Sequence, residues 1–166
     1  MSNTIKAIIF DLNDVRKKAE NGDKFACYIL GRSYDCEENG AEQSFEKAMY
    51  WYGKGKELGD PRSAYGVGAC YYFGDGVEQD KEKAKQIHVE AYKPLLELIN
   101  EEEQNPRKQA FSKFCLGANF YYNGVGTEKN LKLSEYYLKM AVDAGLPRAK
   151  TKYEQYKSEY ESELER

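Results

Sequence analysis

A single histidine, His88, stands in a chain of 166 residues. A zinc site draws three or four close ligands from Cys, His and acidic side chains. The four cysteines, Cys27, Cys36, Cys70 and Cys115, are too scattered to supply them, and no Cys-x-x-Cys pair occurs. No metal and no cofactor is expected. Four cysteines admit three pairings, and nothing in their spacing asks for one, so reduced, mostly buried thiols are expected. No apolar run approaches the roughly 18–20 residues of a membrane helix. The N-terminus has no basic start followed by an apolar signal core. Membrane and secretory functions are therefore set aside, and a cytoplasmic protein is expected. Basic excess is missing too: 25 Lys+Arg face 28 Asp+Glu, for a formal charge of −3, which argues against a nucleic-acid partner. Apolar residues reach only 41%, below the usual 45–50% or so. Mean hydropathy is −0.83, as for an elongated fold with much solvated surface.

What the chain does have is repetition, which fixes architecture before any other signal. Gly59-Asp60-Pro61-Arg62-Ser63-Ala64 returns as Gly145-Leu146-Pro147-Arg148-Ala149-Lys150, with an earlier echo at Gly22-Asp23-Lys24-Phe25-Ala26-Cys27. After each echo, or its counterpart, comes a small residue, an aromatic and an apolar-Gly pair, ending at Gly31, Gly68 and Gly117. Three residues on lies another aromatic: Tyr34, Tyr71 and Phe120. A turn follows, in which Tyr71–Asp80 parallels Phe120–Asn130 with one extra residue in the later copy. Its glycines permit positive φ and end a helix. Ser44, Asp80 and Asn130 then stand where an N-cap oxygen belongs. The second helix presents Ala48, Ala84 and Ser134 at its close-packed point, followed by Trp51/Tyr52, Ile87/His88 and Tyr137/Leu138. Each unit is thus helix A, Gly-rich turn, helix B, and neither helix buries its apolar stripe without neighbours. Residues 81–103 read as an overlong helix B interrupted near Pro94, since an interior proline kinks a helix.

On these residues the chain resembles the Sel1-like repeat family, relatives of the tetratricopeptide repeats. The resemblance rests on Gly59-Asp60, Ser63, Val67-Gly68, Tyr71, Gly74-Asp75-Gly76-Val77, Asp80 and Ala84, and on Ala48, Trp51-Tyr52 and Gly59-Asp60. It covers about residues 17 to 153. Three departures stand out: the turn Cys36–Gly40 lacks the Gly-x-Gly-Val form, helix B of the second unit is overlong, and the last element has Glu154 where the glycine should be. The fold implied is all-α, a short right-handed α-α solenoid in one domain. Residues 1–22 form an N-terminal capping helix, 23–59 repeat 1, 60–105 repeat 2, 106–145 repeat 3 and 146–166 a C-terminal capping helix. The outer face of that last helix should meet water through Lys152, Glu154, Lys157, Glu159 and Glu161.

Two decoys carry chemistry on paper. Ile5–Val15 resembles the first motif of haloacid-dehalogenase-type phosphatases, an apolar strand delivering the nucleophile Asp11. The second acidic position is Asn13, which cannot act as the acid, and no parallel sheet follows. Ile5, Ile8, Ile9, Leu12, Val15 and Ala19 instead fall at helical spacing, with Asn3 or Thr4 as cap. Gly74-Asp75-Gly76 and Gly124-Val125-Gly126 are not phosphate loops, because a helix precedes them and acidic residues follow. They lack the alternating ligands of a calcium loop as well. One histidine supports no catalytic triad, so His88 is expected to pack between helices, and Glu101-Glu102-Glu103 to be a solvated face.

Fifteen tyrosines remain to be placed. Tetratricopeptide-like geometry, taken from the resemblance, points Tyr28, Arg32, Asp35, Tyr65, Tyr72, Phe114 and Tyr121 into a concave groove, with Arg62 one turn before Tyr65. Tyrosine and arginine dominate interface hot spots. The expected function is a non-catalytic adaptor or scaffold that binds a protein or peptide there, burying about 1,200–2,000 Å². A dedicated inhibitor or immunity-type protein facing one toxin or enzyme is the alternative. An Asp11 phosphatase is the remote one. The apolar residues Leu95, Leu96, Leu98 and Ile99 make a homodimer through the 94–103 segment a further expectation, unless they pack on the solenoid itself.

Overall fold

The computed structural model describes residues 6–166, and every regular element among them is helical. The contacts gather into two compact units, Ile9–Pro94 and Leu95–Arg166, with Ile8 belonging to the second.

Unit Ile9–Pro94 holds α1 (Leu12–Glu20), α2 (Lys24–Cys36), α3 (Phe45–Glu57), α4 (Pro61–Phe73) and the first part of α5 (Lys81–Glu101). Each start is set by a short polar side chain. Asp11, Asp23, Ser44, Asp60 and Asp80 accept the N–H three residues on, satisfying one of the donors a helix start leaves orphaned. Gly22, Gly59 and Gly74 reverse the chain after α1, α3 and α4 at φ near +80°. In the first turn, Glu37 and Asn39 take left-handed conformations in addition to Gly40. Asn39 is held there by two bonds. Its Oδ1 accepts from the Phe10 N–H (2.9 Å) and its Nδ2 donates to Ser33 Oγ (2.9 Å). The helices pack α1 on α2, α2 on α3 and α3 on α4, and α2 also meets α4 directly. That skip-one contact marks stacked helix pairs.

The second unit holds the end of α5, α6 (Pro106–Cys115), a π-helical segment Leu116–Tyr121, α7 (Leu131–Asp143) and α8 (Pro147–Leu164). α7 packs on α6, on the π segment and on α8. Tyr156 and Tyr160 of α8 are buried, whereas Glu154, Lys157, Glu159 and Glu161 face water and Lys152 is partly covered.

One packing rule recurs through the three helix pairs. Ala48, Ala84 and Ser134 are fully buried. Four residues later on the same helices, Tyr52, His88 and Leu138 lie against Gly31, Gly68 and Gly117 of the preceding helices. A Cβ added at those glycines would fall 2.4 Å from the Tyr52 ring, 2.4 Å from His88 Nε2 and 2.8 Å from the Leu138 backbone nitrogen. Glycine is therefore required for the helices to approach, rather than for a turn.

Four details differ from the sequence expectations. The N-terminal helix begins at Leu12, not near residue 4, because Asp11 caps it and the chain from Lys6 to Phe10 is irregular. Ile8 is buried and its N–H bonds to Gly145 O, while Ile9 is 68% exposed, so they share no helix face. Asn3, Thr4 and Ile5 lie outside the described residues. α5 runs unbroken through Pro94 to Glu101, since a proline removes one N–H and the neighbouring turns keep theirs. Within Glu101–Glu103, Glu102 is buried and accepts from Ser112 Oγ (3.0 Å). Finally, the extra residue of the third pair lies in its helix, not in its turn. Asp80 N–H bonds to Tyr71 O and Asn130 N–H bonds to Tyr121 O, the same loop length in both. The insertion is absorbed by the π segment, the usual device for one surplus residue in a helix. Tyr121, not Phe120, is therefore the counterpart of Tyr71.

The apolar surplus of α5 is largely withdrawn from solvent, with Leu96 and Ile99 half-buried. Leu95 and Leu98 are buried, and Gln109 of α6 donates to Ile99 O (2.7 Å). None of the four cysteines is joined in a disulfide. Burial, with Asp35 and Asp75 adding to it, pushes the Cys70 thiol up to about 12.

Candidate functional site

In unit Ile9–Pro94 the residues expected to line a groove lie on α2 and α4. Arg62 is 1% exposed. Its guanidinium bonds to Asp60 Oδ1 through Nε (3.0 Å) and Nη2 (2.9 Å) and lies over the rings of Phe25 (4.7 Å) and Tyr28 (5.6 Å). The other oxygen of Asp60 accepts from Ser63 N–H and Oγ. Asp60 caps α4 and neutralises Arg62 at once, which is what lets an arginine be buried. Tyr28 is buried under Arg62 and beside Tyr52, ring centroids 6.1 Å apart. Arg32 is buried with a bidentate grip on Glu38 (2.7 and 2.9 Å) that fastens the chain after α2. These three side chains, expected as groove contacts, are interior and partnered within the unit. Charge and ring area that sequence pattern assigns to a partner are taken up inside the unit.

Three others reach the surface. Asp35 is partly exposed and accepts from the Tyr52 hydroxyl (3.2 Å). Burial, with Asp35 adding to it, holds that phenol well above its ordinary range. Tyr65 is partly exposed and stacks on the His88 imidazole, centroids 4.9 Å apart at 25°. Tyr72 is 43% exposed. Beside it the structure adds a residue missing from the sequence-based set: Phe73, 67% exposed, edge-on to Tyr72 at 5.0 Å. The signal for it was present, since Phe73 falls where the first pair has Cys36. Tyr65, Ala69, Tyr72 and Phe73 are spaced as one stripe of α4. Lysines dress the aromatics around it. Lys81 lies over Tyr72 (5.2 Å), Lys83 over Tyr71 (4.2 Å), and in the first pair Lys47 over Tyr34 (5.2 Å).

In the second unit Phe114 and Tyr121 are buried, and Tyr121 stacks on Tyr137 at 5.7 Å and 5°. Both were expected to line the groove, and both are interior here. Because of the π segment, the counterpart of Tyr72 is Tyr122. α8 covers it: Tyr156 stacks on its ring (3.4 Å, 7°), Tyr160 meets it edge-on, and its hydroxyl bonds to Glu159. The stripe open on α4 is thus closed by the chain itself in the last pair.

Among the described residues no group of three or more His, Cys, Asp or Glu side chains is placed to hold a metal. Gly74-Asp75-Gly76 is a packed turn. The Gly74 and Asp75 N–H groups bond to Cys70 O, and Gly76 rests on the backbone of Phe45. Asp11 caps α1, with no strand behind it among the described residues. No helix among those residues is long and apolar enough to cross a membrane.

The family model "Sel1 repeat" matches residues 24–60, 61–91 and 115–146, more than half of the chain. Among solved structures, a Sel1 repeat protein from Oxalobacter formigenes is 21% identical with a TM-score of 0.49, covering 83% of this chain and 49% of its own. A protective antigen present in uropathogenic Escherichia coli strains, displaying an SLR fold, is 22% identical with a TM-score of 0.47, covering 87% and 36%. The chain thus spans half or less of the length of these two structures. Curated proteins offer no match.

Proposed function

Because this chain belongs to the Sel1 repeat family, a family of protein–protein interaction modules, we propose that it is a non-catalytic adaptor or scaffold. It grips a protein or peptide segment on the α4 stripe of Tyr65, Ala69, Tyr72 and Phe73, flanked by Asp35. The observation that carries this is the exposure of Tyr72 and Phe73, 43% and 67%. In the third pair the counterpart, Tyr122, is covered by Tyr156. An exposed pair of large rings, with the Asp35 carboxylate on the adjoining α2, supplies both contact area and a directed polar contact. Such a partner would bury the two rings and meet Asp35 with a donor. Four cysteines with no disulfide among them fit a reducing, cytoplasmic setting.

The test is a tagged capture from the source cell, comparing wild type with Tyr65→Ala/Tyr72→Ala/Phe73→Ala. Arg62 stays untouched because it is interior. Loss of a stoichiometric partner by a triple variant whose melting temperature holds supports the site. Retention of the partner moves binding off this face. One tight obligate partner would favour a dedicated inhibitor over a general adaptor, which would release several weak ones.

A further inference from the structure

His88 occupies a position that the other two pairs fill with groups uncharged at neutral pH, Tyr52 and Leu138. It is the chain's one histidine, the side chain that changes charge nearest physiological pH. Its ring is almost wholly buried and lies against Gly68 so closely that no Cβ fits between them. Nε2 is 3.2 Å from Tyr65 O. With the Nε2 hydrogen donated to that carbonyl, an incoming proton must go to Nδ1, placing a cation inside the α4–α5 contact. From α4, Gly68 and the Tyr65 ring and carbonyl face it. One turn away along α5 stand Ala84, Lys85, Ala91 and Tyr92, so the nearest charge at helical spacing on its own helix is a second cation.

We propose that His88 is an acid-sensitive latch, whose protonation loosens α5 from α4 and disturbs the Tyr65 ring stacked upon it. As a regulatory device for binding, this rests on the reading that Tyr65 belongs to the partner face. Burial lowers the readiness of the imidazole to take a proton, and the Tyr65 carbonyl offsets this only in part. A folded state that resists a proton the unfolded chain accepts at about pH 6.5 binds fewer protons than the unfolded one. Stability therefore rises with pH through this window. The contribution is complete above about pH 6.5 and is lost as pH falls from there through the folded-state value.

The test needs no partner. In the full chain, the His88 imidazole and the Tyr65 ring are followed by NMR as pH is lowered from about 7.5 to 5.5. The imidazole should titrate below its ordinary value, and the Tyr65 signals should follow the same curve. His88→Leu, which installs the side chain found at position 138, should abolish the Tyr65 response. It should also remove about half or more of the wild-type fall in melting temperature over that range. A titration at or above the ordinary value would overturn the latch, as would a Tyr65 response that survives the substitution. If the latch holds while the stripe variant keeps its partner, only the interface reading falls. If the stripe is confirmed and Tyr65 ignores pH, only the latch falls.

Discussion

Removing the guanidinium of Arg62 would strand the Asp60 carboxylate in a site where both partners are almost wholly buried. Breaking a buried pair from one side costs about 3–5 kcal/mol. Arg62→Ala should fall in that range by urea denaturation, and Asp60→Ala should match it while also loosening the start of α4. The double variant should cost less than the two singles added together. Asp11 makes a contrasting case. Its exposed carboxylate caps α1, so Asp11→Ala should cost about 1 kcal/mol and change nothing else. A phosphatase reading would instead require a magnesium-dependent activity that vanishes with it. Both residues show where sequence stops being informative. Asp60, Arg62 and Ser63 are visible as a repeated motif, but that arginine and aspartate neutralise each other inside the unit depends on Phe25 and Tyr28 closing over them. Pattern alone treats an arginine near a groove as a contact.

Between helices, the rule of one side chain per glycine makes a graded prediction. Gly68→Ala would push a Cβ against the His88 ring, which can tilt only by leaving Tyr65. A cost of about 1–3 kcal/mol is expected, as for overpacked cores. Gly117→Ala meets backbone at Ser134 and Leu138 and should cost more, because backbone yields less readily than a side chain. Thermal melts of the two variants would rank them, and the opposite order would contradict the packing described. Elements like these were legible: Ser44, Asp80 and Asn130 are caps, and Ala48, Ala84 and Ser134 are contact points, because each depends on near neighbours that recur. The π segment was not. A surplus residue can sit in helix or turn with equal plausibility on paper, and only the Asn130–Tyr121 bond decides. The start of α1 was misplaced for a similar reason. Ile5, Ile8 and Leu12 have helical spacing, but spacing does not say where the capping oxygen sits.

At the scale of the whole chain, Leu98 separates two models of assembly. It belongs to the unit Leu95–Arg166 and is buried, so Leu98→Glu should unfold part of the chain around it, at a cost of about 3 kcal/mol or more for an unpaired charge in the core. Circular dichroism would report it as lost helix. Light scattering on the wild-type chain should show no dissociation for the substitution to cause. A folded variant whose mass halves would restore the homodimer expected from its apolar run. The fold class was readable because three copies reinforced one another. The binding face was readable only in part, because exposure depends on which neighbour closes over each ring. The π segment has a practical consequence for anyone exchanging modules between such chains. A graft that joins the second and third helix pairs by matching Gly68 to Gly117 would carry its cargo one residue out of step, rotating each later side chain about 100° around the helix axis. Counted backwards from Asp80 and Asn130, the same graft would keep its register, and the stripe on α4 would arrive facing the way it left.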